Sequence, residues 1–215
     1  ARCASYADRR ILKESIEKAL AVQLEDFGGV SGKKIMLKPN LLAWRRKEDI
    51  ACVHPAFVVE SARAFLDAGA SEVAIIENPA VQTAPAIIKS MGIAGELAAM
   101  NVKVANFERF ATISPPENVR GMMKLTLCVK NLFGLVKGSE RMGWHLAVGR
   151  DFAMFADMLL DIYLTVRPQF NLLDAITCME GNGPGSGSPA ERGFIAGASD
   201  SLALDSSVAP LLGVD

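Results

Sequence analysis

An alternation of short apolar runs with an amphipathic segment is the feature that most constrains the fold of this chain. Lys34–Pro39 is a brief apolar run that ends at a proline, and Glu72–Glu77 is a second such run. Between them, apolar residues recur at three- and four-residue spacing from Pro55 to Leu66, and Gly69 follows. The runs predict buried strands, and the spacing predicts a helix that begins at Pro55. This strand–helix–strand order favours a parallel sheet.

The rest of the pattern extends the same architecture. We predict further helices at Leu12–Leu24, Pro85–Met91, Ala94–Met100, Asp151–Val166 and Leu202–Leu212. We predict further strands at Val102–Asn106, Met122–Val129, Leu172–Cys178 and Phe194–Ala198. Between them lie a turn or short helix at Lys130–Gly134 and a glycine- and proline-rich loop at Glu180–Arg192. The predicted class is α/β, with three layers and a mostly parallel sheet that carries helices on both faces.

The composition restricts the class of protein. A chain of 215 residues suits one domain, and no repeat or linker divides it, so we predict a single α/β domain over residues 1–215. The net charge is -1 and both signs are interspersed, which excludes a nucleic-acid footprint, and the basic run at 45–47 is expected to be a solvated loop. No uncharged apolar stretch is long enough for a membrane span.

Cysteine usage and the chain start give two further expectations. The four cysteines are far apart and form no Cys-x-x-Cys pair, which excludes a cluster-binding motif within this sequence and fits a reducing, cytoplasmic compartment. The sequence begins at Ala1 without an initiator methionine or a signal-peptide pattern. We therefore expect it to be a piece of a longer protein.

The first candidate site follows the first predicted strand. Right-handed connections place Lys38–Asn40 and Glu77–Asn78 along one edge of the sheet, where open α/β sheets bind ligands. Lys38 can bind a carboxylate or phosphate there, or act as a base if it is desolvated, and Asn40 adds an amide. The alternative is a lysine that extends to solvent, with Asn40 in a turn.

The two histidines are the next candidates. His54 precedes Pro55 at a predicted helix start, and His145 follows Gly143-Trp144 in a predicted loop. Two histidines this far apart are a weak metal signal, although a position in a loop favours function.

The glycine-rich loop is the third candidate. Gly181, Asn182 and Gly183 follow a predicted strand, and their backbone amides can form an anion nest. The loop matches neither a Walker motif nor a dinucleotide-binding fingerprint, and a flexible connection is the alternative. Glu180 adds a carboxylate that can serve as base or ligand.

Several of these motifs occur together in one order. They are Lys38-Pro39-Asn40-Leu41, His54-Pro55, Val129-Lys130-Asn131-Leu132-Phe133-Gly134, His145, Met179-Glu180-Gly181-Asn182-Gly183-Pro184 and Ala203-Leu204-Asp205. The ordered set, which covers nearly the whole chain, closely resembles the domain-of-unknown-function family numbered 362.

The resemblance implies an intracellular, mostly bacterial or archaeal domain that often accompanies a ferredoxin-like domain with two four-iron clusters. Members are commonly labelled iron–sulfur or oxidoreductase-like without a known substrate. Any such clusters would lie outside these residues. The site positions implied by the resemblance are Lys38, Asn40, His54, Lys130, Asn131, His145, Glu180 and Asn182.

The sequence departs from the family pattern near residues 120–121. Similar members carry a lysine- and histidine-bearing stretch before the Lys-Asn-Leu-Phe-Gly motif, whereas Arg120 runs directly into Gly121 here. We therefore expect a segment to be missing between these two residues, and part of the site with it.

Two functions are compatible with these residues. The first is an enzyme-like domain that binds a small anion or a metal at the strand ends. The iron–sulfur domains that accompany other family members favour redox chemistry as its reaction. It would use Lys38, His54, Lys130, His145 and Glu180 in catalysis, with Asn40, Asn131 and Gly181–Gly183 as substrate-binding groups. The second is a non-catalytic scaffold that partners an iron–sulfur electron carrier. A metal held by Glu180 with Asp205 or a histidine fits either function. Convergence of the side chains favours the first function, and their dispersal favours the second.

Overall fold

The computed structural model describes residues 1–44, 50–79, 82–106, 126–148, 151–183 and 186–214. The α-helices in these ranges are α1 (Arg9–Asp26), α2 (Pro55–Asp67), α3 (Ala84–Ser90), α4 (Ala94–Ala99), α5 (Cys128–Asn131), α6 (Gly138–Val148), α7 (Phe152–Val166) and α8 (Ser201–Val208). The strands are β1 (Lys34–Leu37), β2 (Glu72–Ile76), β3 (Lys103–Ala105), β4 (Asn171–Asn182) and β5 (Ser186–Ala198), and short 3-10 helices cover Leu132–Leu135 and Pro210–Leu212.

A three-stranded parallel sheet flanked by helices confirms the predicted α/β class. The strand order is β1-β2-β3, with Leu37 opposite Ile75 and Ile76 opposite Ala105. Ile35, Val73 and Ile75 are buried, and they alternate along β1 and β2 with residues that are half-buried or exposed. All carboxyl ends of these strands point the same way, so the residues after β1 and β2 meet at one edge.

Helix boundaries follow the capping residues. Asp8 caps α1 by accepting from the backbone N–H groups of Arg10 and Ile11, and Asp200 caps α8 by accepting from Ala203. Both side chains satisfy amides that a helix start leaves without an intrahelical partner. The predicted α7 is confirmed, since it ends at Val166 before Pro168.

The prediction of a loop over Glu180–Arg192 is wrong. The chain there forms a long antiparallel hairpin in which Cys178 pairs with Ala190 and Glu180 pairs with Ser188. The glycine and proline content of this segment predicted a loop. Both strands of a two-stranded ribbon have a free edge, however, and edge strands tolerate both residue types. Cross-strand backbone pairing therefore extends almost to the tip.

The region of the Lys-Asn-Leu-Phe-Gly motif differs in part from expectation. Residues 122–125 of the predicted Met122–Val129 strand lie outside the described residues, and Cys128 begins α5. That strand is therefore wrong at its carboxyl end, whereas the short helix predicted at Lys130–Gly134 is confirmed. The basic run at 45–47 and the junction at 120–121 also lie outside the described residues.

Two apolar clusters support the strand ends. The larger one joins α1, α2 and the parallel sheet through fully buried residues such as Ile16, Phe65 and Ile75. The second joins α5, the following 3-10 helix and α7: Val129, Leu132, Phe133, Phe155, Met158, Leu159 and Ile162. This second cluster holds the residues after α5 against the edge of the sheet.

The cysteines and the hydropathy of the helices add two findings. No disulfide bond links the four cysteines, all of which lie within the described ranges. In the described ranges, no helix combines the length and the apolar character needed to cross a membrane.

Candidate functional site

A buried ion pair lies where β1 and β2 end. Lys38 follows β1 and Glu77 follows β2, and the Lys38 ammonium donates to Glu77 Oε2. The side chains are only 9% and 2% exposed, so the pair is removed from solvent. Burial lowers the pKa of Lys38 and raises the pKa of Glu77, and in each case the charge of the partner opposes the effect of burial.

Asn131 joins this pair to the second apolar cluster. Lys38 Nζ donates to Asn131 Oδ1 at 2.7 Å and to the Pro39 carbonyl at 3.2 Å. Asn131 Nδ2 in turn donates to the Lys38 carbonyl at 3.1 Å. With the bond to Glu77, all three ammonium protons of Lys38 have acceptors. The Lys38 ammonium group is therefore held in place by three hydrogen bonds.

Gly134 lies directly against the pair. A Cβ added at Gly134 would lie 2.6 Å from Lys38 Nζ and 2.8 Å from Glu77 Oε2. The neighbouring backbone also closes on the strand end, since Asn78 N–H donates to the Gly134 carbonyl at 3.3 Å. Only a residue without a side chain allows this approach.

The Gly134→Ala variant is therefore expected to lower the free energy of unfolding by about 1–3 kcal/mol, since the pair is buried and cannot yield. Gly143→Ala is the matched control, because a Cβ at Gly143 meets nothing within 4 Å and the residue lies within α6. That change should raise stability by about 0.5–1 kcal/mol. Urea unfolding of both variants measures the difference, and an equal response of the two would contradict the close approach.

Three further side chains are linked to the pair, directly or through one another. Partial burial lowers the pKa of His145, and the positive charges of Lys130 and Arg141 lower it further. The charge of Arg141 also acts on Lys38 and on Glu77. We call Lys38, Glu77, Lys130, Asn131, Arg141 and His145 the strand-end cluster.

Four members of the cluster, Lys130, Asn131, Arg141 and His145, lie on α5 and α6. Lys130 Nζ donates to Thr126 Oγ1 at 2.8 Å, and burial lowers the pKa of Lys130. The His145 ring packs edge-on against Phe133 at 5.1 Å and lies 5.3 Å from Phe155. His145 lies within α6, so its prediction in a loop is wrong. The sequence predicted a loop around Gly143-Trp144, but Trp144 packs against the second apolar cluster and the helix continues to Val148.

The charges of the cluster do not balance. Lys38, Lys130 and Arg141 are basic and Glu77 is the acidic member: Lys38 and Arg141 act on Glu77, and Lys130 and Arg141 act on His145. Arg141 Nε and Nη2 are shielded from solvent and have no hydrogen-bond partner among the described residues. Guanidinium nitrogens that are shielded from water and lack an acceptor cost free energy in the folded state.

His54 lies in a different constellation. Its Nδ1 accepts from the Ala56 N–H at 3.1 Å and caps α2, as the predicted helix start requires. Its ring stacks on Tyr6 at 3.7 Å, and the Tyr6 hydroxyl donates to Asp174 at 2.8 Å. Burial and the charge of Arg9 lower the pKa of His54 to about 4. Burial raises the pKa of Asp174 to about 6. The Tyr6 hydroxyl is the hydrogen-bond partner of this carboxylate.

The remaining candidates do not join the strand-end cluster. Glu180 is exposed on the hairpin and forms an ion pair with Arg192, and Gly181, Asn182 and Gly183 are exposed at the tip. Asn40 is exposed and donates to the Ala51 carbonyl at 3.2 Å. These residues have local structural partners or lie in solvent.

Asp205 positions α5. Its two carboxylate oxygens accept from the N–H groups of Cys128 and Val129, each at 2.9 Å. Both oxygens therefore accept hydrogen bonds at the amino end of the helix that carries Lys130 and Asn131. Glu180 pairs with Arg192 instead of approaching Asp205. Within the described ranges, no group of three or more His, Cys, Asp or Glu side chains is arranged to hold a metal ion.

The sequence motifs indicate Lys38, Lys130, Asn131 and His145 as candidates. The predicted topology places Glu77 at the same edge without giving it a role, and no motif indicates Arg141. Glu77 had a usable signal, because it ends its strand at the same edge as Lys38. Arg141 had none, because a single arginine within a helix carries no motif.

Comparison with known proteins defines the class. The model of the family described as Domain of unknown function (DUF362) matches residues 35–122 and 119–210, and the chain belongs to this family. The two matches meet at 119–122, beside the junction where we expect a missing segment. That segment remains a prediction.

One curated relative extends the comparison. The chain is similar to the thylakoid-associated protein sll1697 of Synechocystis sp., with 29% identity over 229 residues that cover 94% of this chain and 71% of the relative. No solved structure matches the chain significantly.

Proposed function

We propose that this domain binds a small anion at the carboxyl ends of its parallel strands. The observation that carries the proposal is Arg141, which acts on the Lys38–Glu77 pair and whose Nε and Nη2 atoms are shielded from solvent without a hydrogen-bond partner among the described residues. Lys38 is fully engaged with Glu77, Asn131 and Pro39. Arg141 and Lys130 are therefore the cations available to a ligand, with His145 beside them.

The partial convergence of the candidate residues favours binding over a purely structural role. Asn131 bonds Lys38 at the strand ends, and Arg141 acts both on Lys38 and, with Lys130, on His145. A ligand site at this edge of the sheet requires such a grouping. Redox chemistry and a cytoplasmic location remain proposals that rest on the family resemblance and on cysteine usage. A scaffold for an iron–sulfur electron carrier is the alternative, and it does not require an unbalanced cluster.

The two histidines provide a paired probe of this proposal. Sulfate keeps its charge through most of the range in which the two histidines titrate, so we would follow both ring signals by NMR from about pH 3 to 8 in sodium sulfate. Sodium chloride of equal ionic strength is the reference, since it reproduces the screening of surface charge. His145→Gln assigns the two signals.

An anion between Lys130 and Arg141 offsets their positive charge, so sulfate should raise the pKa of His145 by on the order of one unit. The pKa of His54, which is next to Arg9 and not to these cations, should stay unchanged. Equal responses of the two histidines to sulfate and chloride would count against an anion site at the cluster.

A further inference from the structure

The unpartnered edge of Arg141 has the geometry of a specific receptor. Nε and Nη2 lie on the same side of the planar guanidinium and direct two parallel N–H bonds outward. Arg9 uses the same two atoms for two carboxylates, Glu60 at 2.8 Å and Glu96 at 2.9 Å. In Arg141, both atoms lack a partner among the described residues.

We infer that Arg141 holds two oxygens of a single dianionic ligand side-on, and that the ligand is a phosphate monoester or a dicarboxylate. This inference rests on the proposed anion-binding function and specifies its ligand. The fork matches two oxygens separated as in a carboxylate or phosphate group, whereas a monatomic anion fills only one direction.

The charge of the cluster argues for a dianion. Lys38, Lys130 and Arg141 contribute three positive charges and Glu77 one negative charge, which leaves two positive charges. A dianion neutralises this excess, whereas a monoanion leaves one buried charge without compensation. Lys130, which acts on the same histidine as Arg141, supplies the second contact.

The ligand must displace local packing, because Arg141 Nε and Nη2 are shielded from solvent. Association is therefore expected to be slower than a diffusion-limited encounter. Once bound, the ligand is removed from water, which strengthens each charge-assisted hydrogen bond.

Calorimetric titration tests the inference with methyl phosphate, succinate and acetate at constant ionic strength. We expect wild-type protein to bind at least one of the two dianions at least tenfold more tightly than acetate. The preferred dianion then identifies the ligand as a phosphate monoester or a dicarboxylate. Acetate binding as tightly as both dianions would overturn the dianion inference.

Arg141→Lys keeps the charge and removes the fork, so we expect it to weaken dianion binding at least tenfold. Arg10→Lys is the matched control, because Arg10 is exposed and pairs only with Glu14 in the described structure. Undiminished binding by Arg141→Lys would overturn the role of Arg141 while leaving anion binding intact. Failure of every anion to bind wild-type protein would instead remove the proposed function itself.

Discussion

The Glu77→Gln variant is expected to lose about 3–5 kcal/mol of unfolding free energy, because it leaves the buried Lys38 ammonium without its counter-charge. Urea unfolding at pH 7 measures the loss. The matched control is Glu14→Gln, which breaks an exposed pair with Arg10 and should cost less than about 0.5 kcal/mol.

A double-mutant cycle isolates the pair itself. Lys38→Met, Glu77→Gln and the double variant should show a coupling of at least about 1 kcal/mol, since removal of both charges avoids an unpaired one. Additive losses would contradict the ion pair.

Glu77→Gln also removes the carboxylate that opposes a bound anion, so folded variant protein should bind sulfate more tightly than wild type.

His54 and Asp174, which both contact Tyr6, are expected to have opposite effects on the pH dependence of stability, and these effects largely cancel in the wild-type protein. The folded pKa of Asp174 is raised from 3.8 to about 6, so its titration adds stability as the pH falls through 6 towards 4. The folded pKa of His54 is lowered from 6.5 to about 4, so its titration removes stability over the same fall. Each effect is about 3 kcal/mol and the two have opposite signs.

A variant that removes one of the two groups should therefore leave the effect of the other group visible. Asp174→Asn should lose up to about 3 kcal/mol more stability than wild type between pH 7 and pH 4, because the compensation by Asp174 is gone. His54→Asn, which retains a capping acceptor for α2, should instead gain stability relative to wild type over this range. Unfolding midpoints at each pH measure both trends.

The exposed Asp157 provides the control for these variants, since Asp157→Asn should follow the wild-type pH profile. Parallel profiles for wild type, Asp174→Asn and His54→Asn would show that neither group has a shifted pKa. That result would contradict the burial that the structure assigns to both.

Local patterns predicted the fold well where they agree with long-range pairing. The β1–α2–β2 unit follows from apolar runs and from Pro55, and its parallel pairing places Lys38 beside Glu77. The hairpin did not follow, because glycine and proline content over Glu180–Arg192 describes local flexibility and carries no information about cross-strand register.

The candidate site was predictable only in part, for the same reason. Lys38 and Asn131 belong to sequence motifs, and their hydrogen bond is the natural outcome of placing both at one edge. Arg141 reaches the cluster through the packing of α6, which no spacing in the chain reveals. Glu180, conversely, had a suggestive sequence context, but its partner across the hairpin is Arg192.

The most direct test of the anion site is anomalous diffraction from crystals soaked in selenate, a dianion with the shape of sulfate. We expect a selenium peak within about 4 Å of Arg141 Nε and Nη2, with Lys130 on its other side, and loss of that peak in Arg141→Gln crystals. Selenate peaks elsewhere on the molecule, with none at the strand-end cluster, would contradict the account.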